Sequence, residues 1–270
     1  METKFDEMNR TLRVSLIRAK GSRPLISFLS VTLFLVMWEL LPRLNLVNAS
    51  YISQPSRVLT VAAEEIFHKG EFFDHLYVSF IEFSMGFILA LAVGIPLGMI
   101  IGVFRKVRYL LDPPIMALWS TPMLALIPLF ILWLGVGVES KLAVVFIMAV
   151  IPIIVNAVAG IREVDFPLVR AARSFCAKQR DIFIKILLPG SLPALMTGVR
   201  LGLGRAIMGM VAGEMYCSTK GLGHQLMASG QAFRMDLVVF YVSVVCLLGV
   251  SATNLMRKLE TRLQRWRTTG

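Results

Sequence analysis

The chain has 270 residues, 56% of them hydrophobic and 17% charged, with a net charge of +11. Soluble domains are about 45–50% apolar, and the excess here lies in long runs, which excludes an ordinary soluble globular class. The basic residues fall between those runs rather than on one polar domain. This excludes nucleic acid as a partner and matches how a membrane protein distributes Lys and Arg.

Residues 1–24 mix Glu2, Asp6 and Glu7 with Lys4, Arg10, Arg13, Arg18, Lys20 and Arg23, and read as a cytoplasmic tail. The apolar run Leu25–Leu41 lacks a good small-residue cleavage site and reads as a retained anchor. It is the first of six segments near the roughly 20 apolar residues that a bilayer core requires of a helix. The others are Tyr77–Phe104, Leu110–Val136, Lys141–Gly160, Leu192–Tyr216 and Leu237–Met256. Between the first two, Val58, Val61, Ala62, Ile66 and Phe67 recur at near-helical spacing and predict a short amphipathic helix. The second run, about 42 Å long at 1.5 Å per residue, must tilt or protrude. The third carries Pro113, Pro114, Pro122 and Pro128, which predicts a kink or a later start.

Charge sets the orientation. The N-terminal tail, the gap after the second run, the gap after the fourth and the C-terminal tail hold 20 of the 28 Lys and Arg; the opposite gaps hold six, and Arg200 and Arg205 fall inside the fifth run. This positive-inside bias predicts six transmembrane helices with both termini cytoplasmic. The expected organisation is a tail over 1–24, a six-span domain over 25–256 with a cytoplasmic loop at about 161–190, and a second tail over 257–270.

That loop contains VRAARSFCAKQRDIFIKILLPGSLPAL, Val169–Leu195. Asp165 can cap a helix with Pro167 in its first turn. Leu168, Ala171, Ala172, Phe175, Ile182, Phe183 and Ile186 cluster at three- and four-residue spacing, and Pro189 and Pro193 are expected to stop the second helix. An apolar face on a cytoplasmic loop requires cover. Either a partner supplies it, or the loop lies on its own membrane domain and anchors to anionic lipid through its cations.

In the fifth run, Gly198, Gly202, Gly209 and Gly213 fall within about 60° of one another and form a small-residue stripe for close packing against a neighbouring span or a second copy. Gly94, Gly98 and Gly102 repeat the device. An intramembrane charge costs about 2.5–3.5 kcal/mol on insertion scales. Arg205, with Glu214 and Asn156, is therefore a candidate for the solute pathway, the alternative being structural pairing within the bundle. Cys176, Cys217 and Cys246 form no metal spacing, and His68, His75 and His224 are scattered. No GxxxxGK[ST] phosphate loop is present. No metal, cofactor or enzymatic site is expected.

Arg170, Ala171, Ala172, Cys176, Ile186, Leu188 and Pro189 resemble the EAA loop of ABC importer permeases, read as E-A-A, three residues, G, nine residues, I, one residue, L-P. Arg170 stands where the family has Glu, and Cys176 where it has Gly. QPSRVL (54–59), PMLALIPLFILWLGVG (122–137), IPIIVNAVAGIREVD (151–165), LPGSLPALMTGVRLGLG (188–204) and GEM (213–215) before GLG (221–223) are similar in order and spacing to the nitrate/sulfonate/taurine-type branch. Glu82 departs from the Arg usual there. The resemblance implies a type I ABC importer permease fold in a prokaryotic inner membrane, with no enzymatic activity of its own. It implies separate ABC ATPase subunits docking on Arg170, Ala171, Ala172, Phe175, Cys176, Ile186, Leu188 and Pro189, an extracytoplasmic solute-binding protein, and a second permease copy. The implied solute is a small anion such as a sulfonate, taurine or nitrate. The alternative is a stand-alone secondary transporter, which predicts inverted repeats; none is visible in the sequence.

Overall fold

A computed structural model describes residues 27–48, 51–68 and 70–263, and every regular element among them is helical. Helix α1 (27–43) is almost wholly exposed along its apolar length. It is tied to α2 (Pro55–Phe67) by Glu39, which accepts from the Ser56 backbone N–H at 3.0 Å and its hydroxyl at 2.6 Å. Then follow α3 (Phe72–Val103), α4 (Arg105–Ser120), a 3₁₀ turn (Met123–Leu126), α5 (Ile127–Leu134), α6 (Val138–Arg162) and α7 (Phe166–Ser174). After α8 (Gln179–Ile182), a π-helical turn (Phe183–Leu187) leads into α9 (Leu188–Cys217); α10 (Leu222–Gln231) and α11 (Met235–Leu263) complete the chain. Among the described residues, four helical stretches are long and apolar enough to cross a membrane: Phe72–Val103, Val138–Arg162, Gln179–Cys217 and Met235–Arg262.

The run Leu110–Val136, expected as one kinked span, is broken: α4 and the segment Met123–Leu134 meet at 95°. Proline disfavours the helical region for the residue before it, and Thr121, preceding Pro122, is extended (φ −76°, ψ 135°). The last carbonyls of α4 find other donors. The Ser120 hydroxyl donates to Met116 O (2.9 Å) and the Thr121 hydroxyl to Ala117 O (2.8 Å), so the break leaves fewer orphan acceptors.

Packing centres on α6. Apolar helices in a bilayer gain no hydrophobic driving force from meeting, so close van der Waals approach decides which ones associate. A Cβ on Gly86, Gly94, Gly98 or Gly102 of α3 would lie 2.6–2.9 Å from Val145, Ile153, Ala157 or Ile161 of α6. On the other side, Gly198, Gly202 and Gly209 of α9 lie against Asn156, Ile153 with Ala149 O, and Met148 with Val144 O, and Gly213 faces Lys141. The α9 stripe is thus occupied by α6 within this chain. The registers make α3 parallel and α9 antiparallel to α6.

A second core joins α2, α10 and α11 at the end of the bundle that holds the start of α6. Val61, Phe72, Leu222, Leu237, Phe240 and Tyr241 are buried together. Val58, Ala62 and Ile66 of the expected amphipathic helix pack on it, while Phe67 is exposed. Glu65 on the same helix is buried and accepts from the Tyr241 hydroxyl at 3.1 Å.

Candidate functional site

At the far end of α6 the chain turns into α7. Gly160 lets α9 approach closely, since a Cβ there would stand 2.9 Å from both Ala194 Cβ and Ser191 O; Gly190 receives the Val164 side chain in the same way. Both bases of the 161–190 loop are therefore clamped. Val169 and Ile182 are the buried anchors of the hairpin, rather than the wider set that spacing suggested. Asp165 occupies the N-cap position of α7 but makes no side-chain capping bond; Pro167 lies in the first turn as expected.

Helix α7 ends in a Schellman motif. The Cys176 N–H donates to Arg173 O (2.9 Å), the Ala177 N–H donates to Ala172 O (3.0 Å), and Cys176 has φ +56°. This is the left-handed C′ position that glycine usually fills. Cys176 therefore adopts the backbone of the residue it replaces. Pro189 and Pro193 do not stop the second helix: Gln179–Cys217 runs on as one 39-residue stretch. Pro189 lacks the N–H that the fourth preceding carbonyl would accept from, and the π turn just before it changes the pairing step there.

The outer groups of the hairpin are open to solvent. Phe175 is 87% exposed and Leu168 55%. Arg170, Ala171, Arg173, Cys176, Lys178, Arg180 and Lys185 are exposed, while Ala172, Ile186, Leu188 and Pro189 are half-buried at its base. The surface is basic with an apolar knob at Phe175.

Further along α9 the two intramembrane arginines separate. Arg200 pairs with Glu260 of α11 at 3.4 Å. Arg205 forms no ion pair among the described residues; it is exposed, and its guanidinium carbon lies 5.8 Å from the centroid of the Trp119 ring. Trp119 is two residues before the Thr121–Pro122 break. Non-helical backbone at membrane depth is tolerated where it lines a cavity or is covered by protein. Beside Arg205, a Cβ on Gly204 would meet nothing within 4 Å, so this face of α9 is open. Asn156 donates its amide to Pro152 O (2.9 Å) and lies against Gly198.

At the opposite end from α7, three consecutive N–H groups opening α10 are capped by side chains of other helices. The Gly221 N–H donates to His75 Nδ1 (3.0 Å), that of Leu222 to Ser79 Oγ (2.8 Å) and that of Gly223 to Glu214 Oε2 (2.7 Å). These are orphan donors of a helix start. His75, Ser79 and Glu82 share one face of α3 at helical spacing. Glu82 forms a buried ion pair with Lys141 of α6, which also donates to Ser218 Oγ at 3.0 Å. In the sequence Lys141 only opens an apolar run and His75 is one of three scattered histidines. The usable signal was the i, i+4, i+7 spacing of His75, Ser79 and Glu82 within an apolar run.

Apolar helices long enough to span, with one pair bent by 95° between them, fit a membrane-embedded protein. The chain belongs to the family described as binding-protein-dependent transport system inner membrane component, which matches residues 94–265. It is 37% identical to a putative ABC transporter permease protein of Methanocaldococcus jannaschii, over 87% of this chain and 89% of that one. It is 30% identical to the taurine transport system permease protein TauC of Escherichia coli, over 89% of each, and 31% identical to the putative aliphatic sulfonates transport permease protein SsuC of Bacillus subtilis, over 86% and 84%. The fold is similar to a chain of the MetNI methionine ABC transporter in an inward-facing conformation, with a TM-score of 0.53 and 20% identity, covering 77% of this chain and 95% of that one. The chain is thus an ABC transporter permease subunit of the sulfonate/taurine-related branch, a multi-pass membrane protein with a transport role. The stand-alone secondary transporter is not favoured.

Proposed function

We propose that this permease carries a small organic or inorganic anion, of the sulfonate, taurine or nitrate kind, inward across a prokaryotic cytoplasmic membrane, driven by separate ATPase subunits. The observation that carries the coupling part is the clamped hairpin with Phe175 87% exposed on a basic surface. A rigid loop with an uncovered aromatic knob fits a pocket on a partner. In this reading Arg170, Ala171, Ala172, Phe175 and Cys176 form the docking surface, and Ile186, Leu188 and Pro189 carry its displacement into α9.

The chain crosses six times in this proposal: α1, α3, the α4–α5 segment, α6, α9 and α11. The 1–24 and 257–270 tails and the 161–190 loop are cytoplasmic, with anionic lipid beside their cations. Two copies meet around the pathway, a solute-binding protein delivers from the outer side, and Arg205 lines the path. The cost of an intramembrane charge requires that an unpaired Arg205 face water, solute or the second copy. Asn156 and Glu214 sit in the helix packing beside that path and position it. The names of the taurine and sulfonate relatives support the anionic solute.

The test is reconstitution of the chain with its ATPase and binding protein. Phe175→Ala should leave the permease folded and its amount in the membrane unchanged, yet abolish co-purification of the ATPase and solute-stimulated ATP hydrolysis. Uptake that persists without an ATPase would overturn the coupling reading.

A further inference from the structure

The cluster beneath α10 carries more negative charge than it neutralises. Glu82 and Glu214 are 4% and 0% exposed, and Lys141, 5% exposed, is the cation between their helices. The Lys141 ammonium gives its described hydrogen bonds to Glu82 and to Ser218 Oγ. Glu214 instead accepts from the Gly223 N–H through Oε2, with the Ser79 hydroxyl beside it. Oε2 of Glu82 and Oε1 of Glu214 are buried and have no hydrogen-bond partner among the described residues. Two ionised carboxylates and one ammonium would leave one uncompensated negative charge in the protein interior. A buried group avoids that penalty by taking up a proton.

We propose that the Glu82–Glu214 pair binds one proton, carried on Glu214 Oε1, so that a neutral acid at Glu214 and a Glu82–Lys141 ion pair together hold α10 against α3 and α9. The ligand is a proton, and the two carboxyls titrate as a pair rather than as separate residues. Geometry favours Glu214 as the acid. Its Oε2 keeps the Gly223 bond in either protonation state, whereas Glu82 faces the ammonium directly. The site is closely built: a Cβ on Gly221 would stand 2.4 Å from the Glu214 carboxyl carbon, and one on Gly223 would stand 2.3 Å from Val211 O.

The proton is thereby linked to the position of α10. Displacement of α10 would remove the Gly223 donor and admit water, and the hydrated carboxyl would release its proton. Proton binding therefore favours the seated state, and that contribution is lost as pH rises. His75, Lys220 and His224 face the same turn, with Glu71 and Asp74 nearby on the α3 side. Protonation of His75 would place a hydrogen on Nδ1 against the Gly221 N–H and act in the opposite direction at acid pH. A direct reading of the carboxyl is therefore better than a pH profile of transport.

The test does not depend on the transport reading, because it needs neither the ATPase nor the solute. Infrared spectra of the full chain in lipid nanodiscs at neutral pH should show the C=O stretch of one protonated carboxyl, shifted in D₂O. Glu214→Gln, which retains an acceptor for Gly223, should abolish the band. Glu82→Gln should abolish it too, because Glu214 would then ionise as the sole partner of Lys141; this second variant serves if the first fails to fold. No band in the native chain, or a band that survives Glu82→Gln, overturns the shared proton. Stabilisation by Na⁺ over choline with only carboxylate bands would overturn it in favour of a bound cation.

Discussion

Glu82 and Lys141 meet at the 59-residue offset that also pairs Gly86 with Val145 and Gly102 with Ile161. The ion pair thus continues the α3–α6 glycine register to the end of the bundle. Removing one member of a buried pair leaves an uncompensated charge, worth about 3–5 kcal/mol. Lys141→Met should destabilise the permease by about that amount, and Glu82→Leu with Lys141→Met should recover most of it. Unfolding in detergent, read as a double-mutant cycle, checks this. A double-variant loss equal to the sum of the two single losses would show that the pair contributes nothing beyond its separate side chains.

Cys176 holds a left-handed conformation that costs a non-glycine residue about 1–2 kcal/mol. Cys176→Gly should therefore raise the stability of the α7 hairpin by about 1 kcal/mol, and Cys176→Val should lower it. Amide hydrogen exchange over residues 171–178 reads this locally, where a global melt would dilute it.

Gly202 and Gly204 lie two residues apart on α9 and face opposite surroundings. A Cβ at Gly202 would stand 2.9 Å from Ile153 and 3.0 Å from Ala149 O, while one at Gly204 would meet nothing. Gly202→Ala should cost about 1–3 kcal/mol as the helices are forced apart, and Gly204→Ala should stay within about 0.5 kcal/mol. Folded yield by size exclusion separates the two.

Much of this was readable in the residues alone. Hydropathy located the apolar runs because a bilayer imposes length. Gly198, Gly202, Gly209 and Gly213 announced a packing stripe because helical spacing places them on one face. The 95° break at Thr121–Pro122 was only partly legible. Four prolines in one apolar run forecast a disturbance, but local sequence does not say which proline breaks the helix. The opposite error occurred at Pro189, where a π turn absorbs the missing donor and the helix continues. The Glu82–Lys141 pair and the capping of α10 join residues far apart in the chain. No periodicity marks which helix faces which, so those contacts became visible only with the fold.

Arg200 and Arg205 should respond differently to neutralisation. The Arg200–Glu260 pair is partly exposed, with side chains 37% and 16% accessible. Pairs of this kind contribute about 0–1 kcal/mol, so Arg200→Gln should change stability slightly and leave solute affinity alone. Arg205→Gln should leave the fold intact and reduce solute-dependent uptake about tenfold or more, the scale of one lost charge-assisted hydrogen bond. Uptake in proteoliposomes with native ATPase and binding protein decides it; normal transport by Arg205→Gln would remove this residue from the path.

Interlocking at multiples of four residues, as along α3, has a mechanical consequence. Neighbouring helices whose side chains seat in such notches slide only in whole steps of about 6 Å, four residues at 1.5 Å each. With α6 notched on one flank by α3 and on the other by α9, these three helices form a stiff chassis. Any rearrangement that the proposed transport requires would then be taken up at joints outside it: the Thr121–Pro122 elbow, Gly135 with φ +79°, and Gly221 with φ +114°. On the proposed reading, a displacement at α7 would pass along this chassis to the end where α10 sits rather than being absorbed between its helices.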